Sequence, residues 1–158
     1  MSNQSLPKPY VYGIFNPFPT REYSTTFIPG TVHGIAGQPA SGKTTALYSI
    51  AYDLLAQDPE CRILFINDEP GDFSYYGLSE NLDRIIPLKF QDGLPLAKIC
   101  AANKCNVVML DVQCLQFHCA EFMNSEEARG FMQHLVRLAV DAETLIFITQ
   151  MEPRGGKG

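Results

Sequence analysis

Residues 37–44 read Gly37-Gln38-Pro39-Ala40-Ser41-Gly42-Lys43-Thr44, and few folds can hold them. The spacing G-x-x-x-x-G-K-T is that of a Walker A phosphate loop, which sits between a strand and the first turn of a helix. A glycine-bracketed loop turns its backbone N–H groups inward around a polyphosphate. Gly42 lets the main chain come close where a side chain would collide. Lys43 is placed to reach the β- and γ-phosphates, and the Thr44 hydroxyl to ligate Mg²⁺. Thr45, next in the opening turn, joins them in the expected nucleotide-binding set. The helix dipole favours the same anion. The expected cofactors are therefore ATP and Mg²⁺.

The flanks agree with the loop. Thr31-Val32-His33-Gly34-Ile35-Ala36 is a short strand-like run. After the loop, Leu47, Ile50, Ala51, Leu54 and Leu55 recur at helical spacing, which predicts a helix stopping near Asp58-Pro59.

At 158 residues the chain is long enough for one domain with a substantial core. No apolar run approaches membrane-spanning length and no charged-then-apolar leader opens the sequence, so a cytoplasmic, intracellular protein without a membrane partner is expected. The net charge of −5 runs against a free-standing nucleic-acid binder, which is more often basic, although a local loop or an oligomer can still carry such a contact. Five cysteines are present, Cys61, Cys100, Cys105, Cys114 and Cys119, with two C-x₄-C spacings and His118 beside the last. Zinc ligation is conceivable, but buried reduced thiols are the simpler reading, because three of them lie in or beside apolar segments.

Residues 1–26 are rich in Pro, Ser, Thr, Asn and Tyr, and Pro7, Pro9, Pro17 and Pro19 exclude a regular helix. An extended arm is expected, packed across the body or onto a neighbour by Tyr10, Tyr12, Phe15, Phe18 and Tyr23. Cys61–Ile66 is nearly continuous in apolar residues, as a strand buried on both faces should be. It runs into Asn67-Asp68-Glu69, and open α/β sheets place ligands at such strand ends. A short helix is expected around Ser74–Leu82. Ile85–Phe90 reads as an edge strand, because Pro87 would break the ladder of a central one. Leu94–Asn103 reads as a helix. Asn106–Asp111 is an apolar strand ending in a single aspartate, the Walker B pattern, and Asp111 is placed to hold Mg²⁺ through its water shell opposite Thr44. Gln113–Asn124 has no clear period. Ser125 then caps a helix to about Val140, with Phe131, Met132, Leu135, Leu138 and Ala139 on one face. Thr144–Thr149 is the last strand, with Gln150 at its end. A basic, glycine-rich tail follows from Met151 to Gly158.

Alternating strands and helices, with a polar residue closing four of the strands, resemble the RecA-like branch of the P-loop ATPases, which includes RecA-type recombinases and DnaB- and RepA-type helicases. The resemblance covers residues 27–158. Ile28–Gly37 is similar to that family's glycine turn and lead-in strand. Phe65-Ile66-Asn67-Asp68-Glu69 is similar to its strand ending in the catalytic glutamate, which implies that Glu69 activates the attacking water; Asp68 is the rival for that role. Tyr76 falls at the spacing of an adenine-stacking tyrosine, with plain packing as the alternative. Asp111–Leu115 looks a little like the helicase sequence after the Walker B aspartate. Ile148-Thr149-Gln150 is similar to the strand end carrying a γ-phosphate-sensing glutamine, after which the family's loop touches DNA; Arg154 and Lys157 occupy that place here. The family also implies that the glutamine strand lies between the Walker A and Walker B strands. Its sheet continues beyond the glutamine strand, whereas this sequence ends, so the core reads as a minimal version or a fragment. An arginine finger is unassigned; Arg129 and Arg137 are candidates by position only.

The expected fold is a three-layer α/β domain with a mostly parallel sheet of about five strands, RecA-like in organisation. The expected function is that of a DNA-dependent ATPase, a motor domain acting on single-stranded DNA as a ring or filament of identical subunits. The alternative is a nucleotide-switched regulatory or assembly protein with little turnover and no DNA partner. A small-molecule kinase, a third option, would need an arginine-rich lid, and the second half of the sequence has no arginine cluster.

Overall fold

A computed structural model gives the architecture, and it describes residues 10–14, 23–37, 42–67, 79–91, 93–111 and 126–151. Among these, five strands form an all-parallel sheet in the order β3-β7-β6-β4-β5. They are β3 (Val32–Gly37), β4 (Ile63–Asn67), β5 (Ile85–Lys89), β6 (Val107–Asp111) and β7 (Leu145–Met151). The helices are α1 (Lys43–Gln57), α2 (Leu96–Asn103) and α3 (Glu126–Asp141). Parallel strands need crossovers, and the crossover helices cover both faces of the sheet. The class is therefore α/β. β7 lies between β3 and β6, the position the resemblance implies for the strand that bears Gln150.

Period-two alternation sorts the strand residues into two cores. Ile63, Phe65, Val107, Met109, Leu145 and Phe147 face α1 and join its Leu47, Tyr48, Ile50, Ala51, Leu54 and Leu55. Leu64, Ile66, Val108, Leu110, Ile146 and Ile148 face α2 and α3, where Leu96, Cys100, Leu135, Leu138 and Ala139 meet them. The helical stripe legible after the phosphate loop is wholly buried. Each fully buried leucine of this kind contributes about 2 kcal/mol by removal from water. Tyr48 stacks on Phe65 at 5.0 Å between ring centroids.

β5 is an edge strand, in keeping with Pro87. The short helix expected around Ser74–Leu82 differs: a 3-10 helix occupies Ser79–Arg84, and residues 74–78 lie outside the described residues. Its last residue explains its place. The Arg84 guanidinium donates to the carbonyls of Leu55 (3.0 Å), Asp58 (2.9 Å) and Cys61 (3.2 Å), and to Asn81 Oδ1 (2.8 Å). It thus ties the last turn of α1, through Leu55, to the turn that follows it, through Asp58 and Cys61; α1 has no basic residue in its own last turn.

The proline-rich N-terminal region contributes two short strands, β1 (Tyr10–Ile14) and β2 (Tyr23–Phe27), paired antiparallel. The extended character expected of the arm takes the form of a hairpin, and β2 runs into the residue after the expected boundary at 26. Phe27 fastens it to the core, edge-on to Phe147 at 4.8 Å and to His33 at 4.9 Å. The Thr31 hydroxyl donates to the Ile28 carbonyl at 2.6 Å, so its one proton is committed. His33 Nε2, 2.8 Å away, is therefore the donor in its bond to Thr31 Oγ1.

Two tests follow from this packing. Arg84→Ala should lower stability by about 2 kcal/mol in urea unfolding, with Arg84→Lys recovering only part, because one ammonium cannot serve the same fork of carbonyls. An unchanged midpoint would mean that water satisfies them equally well. Burial lowers the His33 pKa from its ordinary value, so the native state favours the neutral ring. The unfolded chain then binds more protons as pH falls. The associated stability is complete above the unfolded pKa of about 6.5 and declines below it. His33→Phe loses the bond to Thr31 at every pH. Its gap in unfolding midpoint from the wild type should hold constant at neutral pH and above, and shift against the wild type as pH falls toward 5; a gap unchanged from pH 5 to 8 would refute this.

Candidate functional site

In an all-parallel sheet every strand points its C-terminal end the same way. Here those ends bring together residues far apart in sequence. Gly37 pairs with Met151, Ala36 with Gln150, Asn67 with Asp111 and again with Lys89. Gly37 and Asp111 thus reach one edge because their strands share a direction, with β7 between them.

Gly42 is the N-cap of α1 and has φ of +95°. That left-handed conformation suits glycine and turns the chain from the loop into the helix. No side chain caps the helix and no acidic residue stands in its first turn, so its positive end is unopposed by its own sequence. Lys43 follows and is buried at 7% exposure. Thr45 lies exposed one residue beyond Thr44 in the same turn.

Thr44 makes the decisive contact. Its hydroxyl donates to Asp111 Oδ2 at 2.7 Å, across 67 residues of sequence. The two residues singled out as metal ligands are therefore in contact. A hydroxyl and a carboxylate are hard oxygen donors. Mg²⁺ uses one or two such protein ligands and keeps its remaining sites for water and phosphate oxygens, so this pair fits it. Among the described residues no group of three or more His, Cys, Asp or Glu is placed to hold a metal. Cys61, Cys100 and Cys105 are buried and take part in no disulfide. Burial, and then the neighbouring Cys105, pushes the Cys100 thiol up to about 12, far from a reactive thiolate.

One residue of the cluster was missed by sequence reasoning. Thr149, 1% exposed, donates its hydroxyl toward Asp111 Oδ1 at 3.2 Å and toward the Leu110 carbonyl at 3.4 Å. The available signal was its place as the α1-facing position that follows Leu145 and Phe147 on β7, where the pattern turns from apolar to polar.

Gln150 belongs to β7 by its backbone. Gln38, Pro39, Ala40 and Ser41 of the loop lie outside the described residues, as do Asp68, Glu69, Tyr76, Cys114, His118, Cys119, Arg154 and Lys157. Arg129 and Arg137 are exposed on α3. No described helix is long and apolar enough to cross a membrane.

A pair of glycines isolates the backbone requirement at the loop. A Cβ added at Gly42 or at Gly130 of α3 would meet no atom within 4 Å. Gly42→Ala should nevertheless destabilise by about 1–2 kcal/mol through its left-handed backbone alone. Gly130→Ala, inside a helix, should stabilise by about 0.5–1 kcal/mol. Urea unfolding of both variants checks the opposite signs; a neutral Gly42→Ala would show that the turn relaxes freely. No family model matches the chain, and no curated protein matches it significantly.

Proposed function

We propose that this protein is a RecA-like P-loop ATPase that binds ATP with Mg²⁺, hydrolyses it, and couples the cycle to single-stranded DNA as an oligomer. The observation that carries the reading is the 2.7 Å bond between Thr44 and Asp111. It puts the hydroxyl of a Walker A loop against the carboxylate of a Walker B strand, at the strand ends where α/β sheets hold ligands. The position of β7 between β3 and β6 agrees with what the RecA-like resemblance implies for the glutamine strand.

Each residue then has a physical task. Lys43, at the start of α1, supplies fixed positive charge where negative charge builds up on the transferring phosphoryl group. The loop amides and the N-terminus of α1 add to that field. Thr44 and Asp111 hold the metal; when bound, Mg²⁺ neutralises charge on the β- and γ-phosphate oxygens. Glu69, two residues past the end of β4, orients and deprotonates the attacking water. Tyr76 stacks on the adenine. Gln150, at the end of β7, reads the γ-phosphate and passes its state to the following loop, where Arg154 and Lys157 meet the DNA backbone.

One observation favours a second reading. The net charge of −5 suits a nucleotide-switched regulatory or assembly protein with no DNA partner. A single assay separates the two: ATP hydrolysis by the purified protein with Mg²⁺, with and without single-stranded DNA, beside Lys43→Ala and Glu69→Gln. The motor reading expects stimulation by DNA and a loss of about 100-fold or more in each variant. ATP binding with no turnover and no response to DNA would eliminate it and leave the switch.

A further inference from the structure

We propose that Thr149 is a positioning residue that fixes the Asp111 carboxylate for metal binding. The inference rests on the nucleotide-site reading above and adds to it a residue outside both Walker motifs. Asp111 receives one hydroxyl on each carboxylate oxygen: Oδ2 from Thr44 at 2.7 Å and Oδ1 from Thr149 at 3.2 Å. A carboxylate held on one oxygen still turns about its terminal torsion, which is broad and soft. Held on both, it presents its remaining lone pairs in fixed directions. Those lone pairs are what the water shell of a metal ion would use.

The two anchors come from different elements. Thr44 belongs to the first turn of α1, whereas Thr149 belongs to the strand that separates the Walker A and Walker B strands. Thr149 is opposite Ile35 of β3 and immediately precedes Gln150. A displacement of the end of β7 would therefore move the Thr149 hydroxyl against Asp111, linking the glutamine strand to the metal ligand through one side chain. β-branching suits the role, because the strand restricts χ1 and with it the direction of the hydroxyl. The longer contact to the Leu110 carbonyl competes for the same single proton, and a purely structural threonine would need no more than that contact.

The test is a titration of Mg²⁺ against a fluorescent ATP analogue bound to the full chain, comparing wild type, Thr149→Val and Thr149→Ser. Valine keeps the shape and removes the donor; serine keeps the donor. The half-saturating Mg²⁺ concentration should rise about tenfold in Thr149→Val, as expected for one lost hydrogen bond to a charged group, and stay within about twofold of wild type in Thr149→Ser. Analogue affinity without Mg²⁺ should be the same in all three. A Thr149→Val titration that overlays the wild type, or a serine variant as impaired as the valine one, overturns the proposal. If Thr149→Val does not fold, Thr149→Ala removes the same donor and is read the same way. Failure of the nucleotide-site reading is separately visible, since the unsubstituted protein would then show no Mg²⁺-dependent binding, and the role of Thr149 would fall with it.

Discussion

The parallel direction of the five strands is the constraint on which the rest depends. Parallel pairs cannot close through tight turns, so the chain crosses the faces between strands, and α1, α2 and α3 are placed there. Both faces are then dry, and the strands become almost wholly apolar. Polar chemistry is left with the strand ends. Because all strands point one way, the carboxyl ends converge with the N-terminus of α1, and Lys43, Thr44 and Asp111 meet there without sequence proximity. The cluster follows from the topology, because β3 leads toward α1 on the same side where β6 ends in Asp111.

The α1 face shows how sharply the change of character is drawn. Register across β4, β6 and β7 lines up Ile63, Val107 and Leu145 in one row, and Phe65, Met109 and Phe147 in the next. All six are buried beneath α1. Beyond them Asn67 pairs with Asp111, and Thr149, the next residue of β7 on that face, meets Asp111 through its hydroxyl, so the character turns polar. A carboxylate there would be costly if it stood alone near a dry core. Hydroxyls on both of its oxygens reduce that cost and fix its geometry together.

Much of this was legible in the sequence because its signals are local. The run 107–111 could be read as a buried strand from unbroken apolar character, and α1 from a stripe that proves fully buried. Pro87 marked an edge through its missing N–H. What escaped depends on partners far along the chain. Arg84 serves carbonyls 23 to 29 residues away, and nothing in its neighbours announces them; Thr149 meets Asp111 across 38 residues, and the polar turn in the β7 pattern marks the residue without naming its partner. The ends of α2 and α3 fell close to where the sequence placed them, at Asn103 and one residue past Val140, although no glycine marks either stop. Lys104 and Glu143 take left-handed turns at φ of 56° and 49°, where glycine would have been the recognisable stop. Backbone bonds from Cys105 to Cys100 and from Thr144 to Ala139 close those turns instead.

The hairpin was hidden because prolines mask strand propensity, and because its anchor lies in the core. Phe27 reaches Phe147, on the same strand as Thr149 and two residues before it. His33 on β3 stacks against the same Phe147 ring at 5.6 Å. The N-terminal region is thus fastened to the very strand that separates the Walker A and Walker B strands. Packed cores respond to displacement by discrete repacking, because dense interiors have little room for gradual adjustment. Phe27, His33 and Phe147 touch one another pairwise and pack as one three-ring cluster. The aromatic cluster and the Thr149–Asp111 contact thus share β7, two residues apart, the first apolar and the second polar, so the polar contact is built directly on a densely packed row.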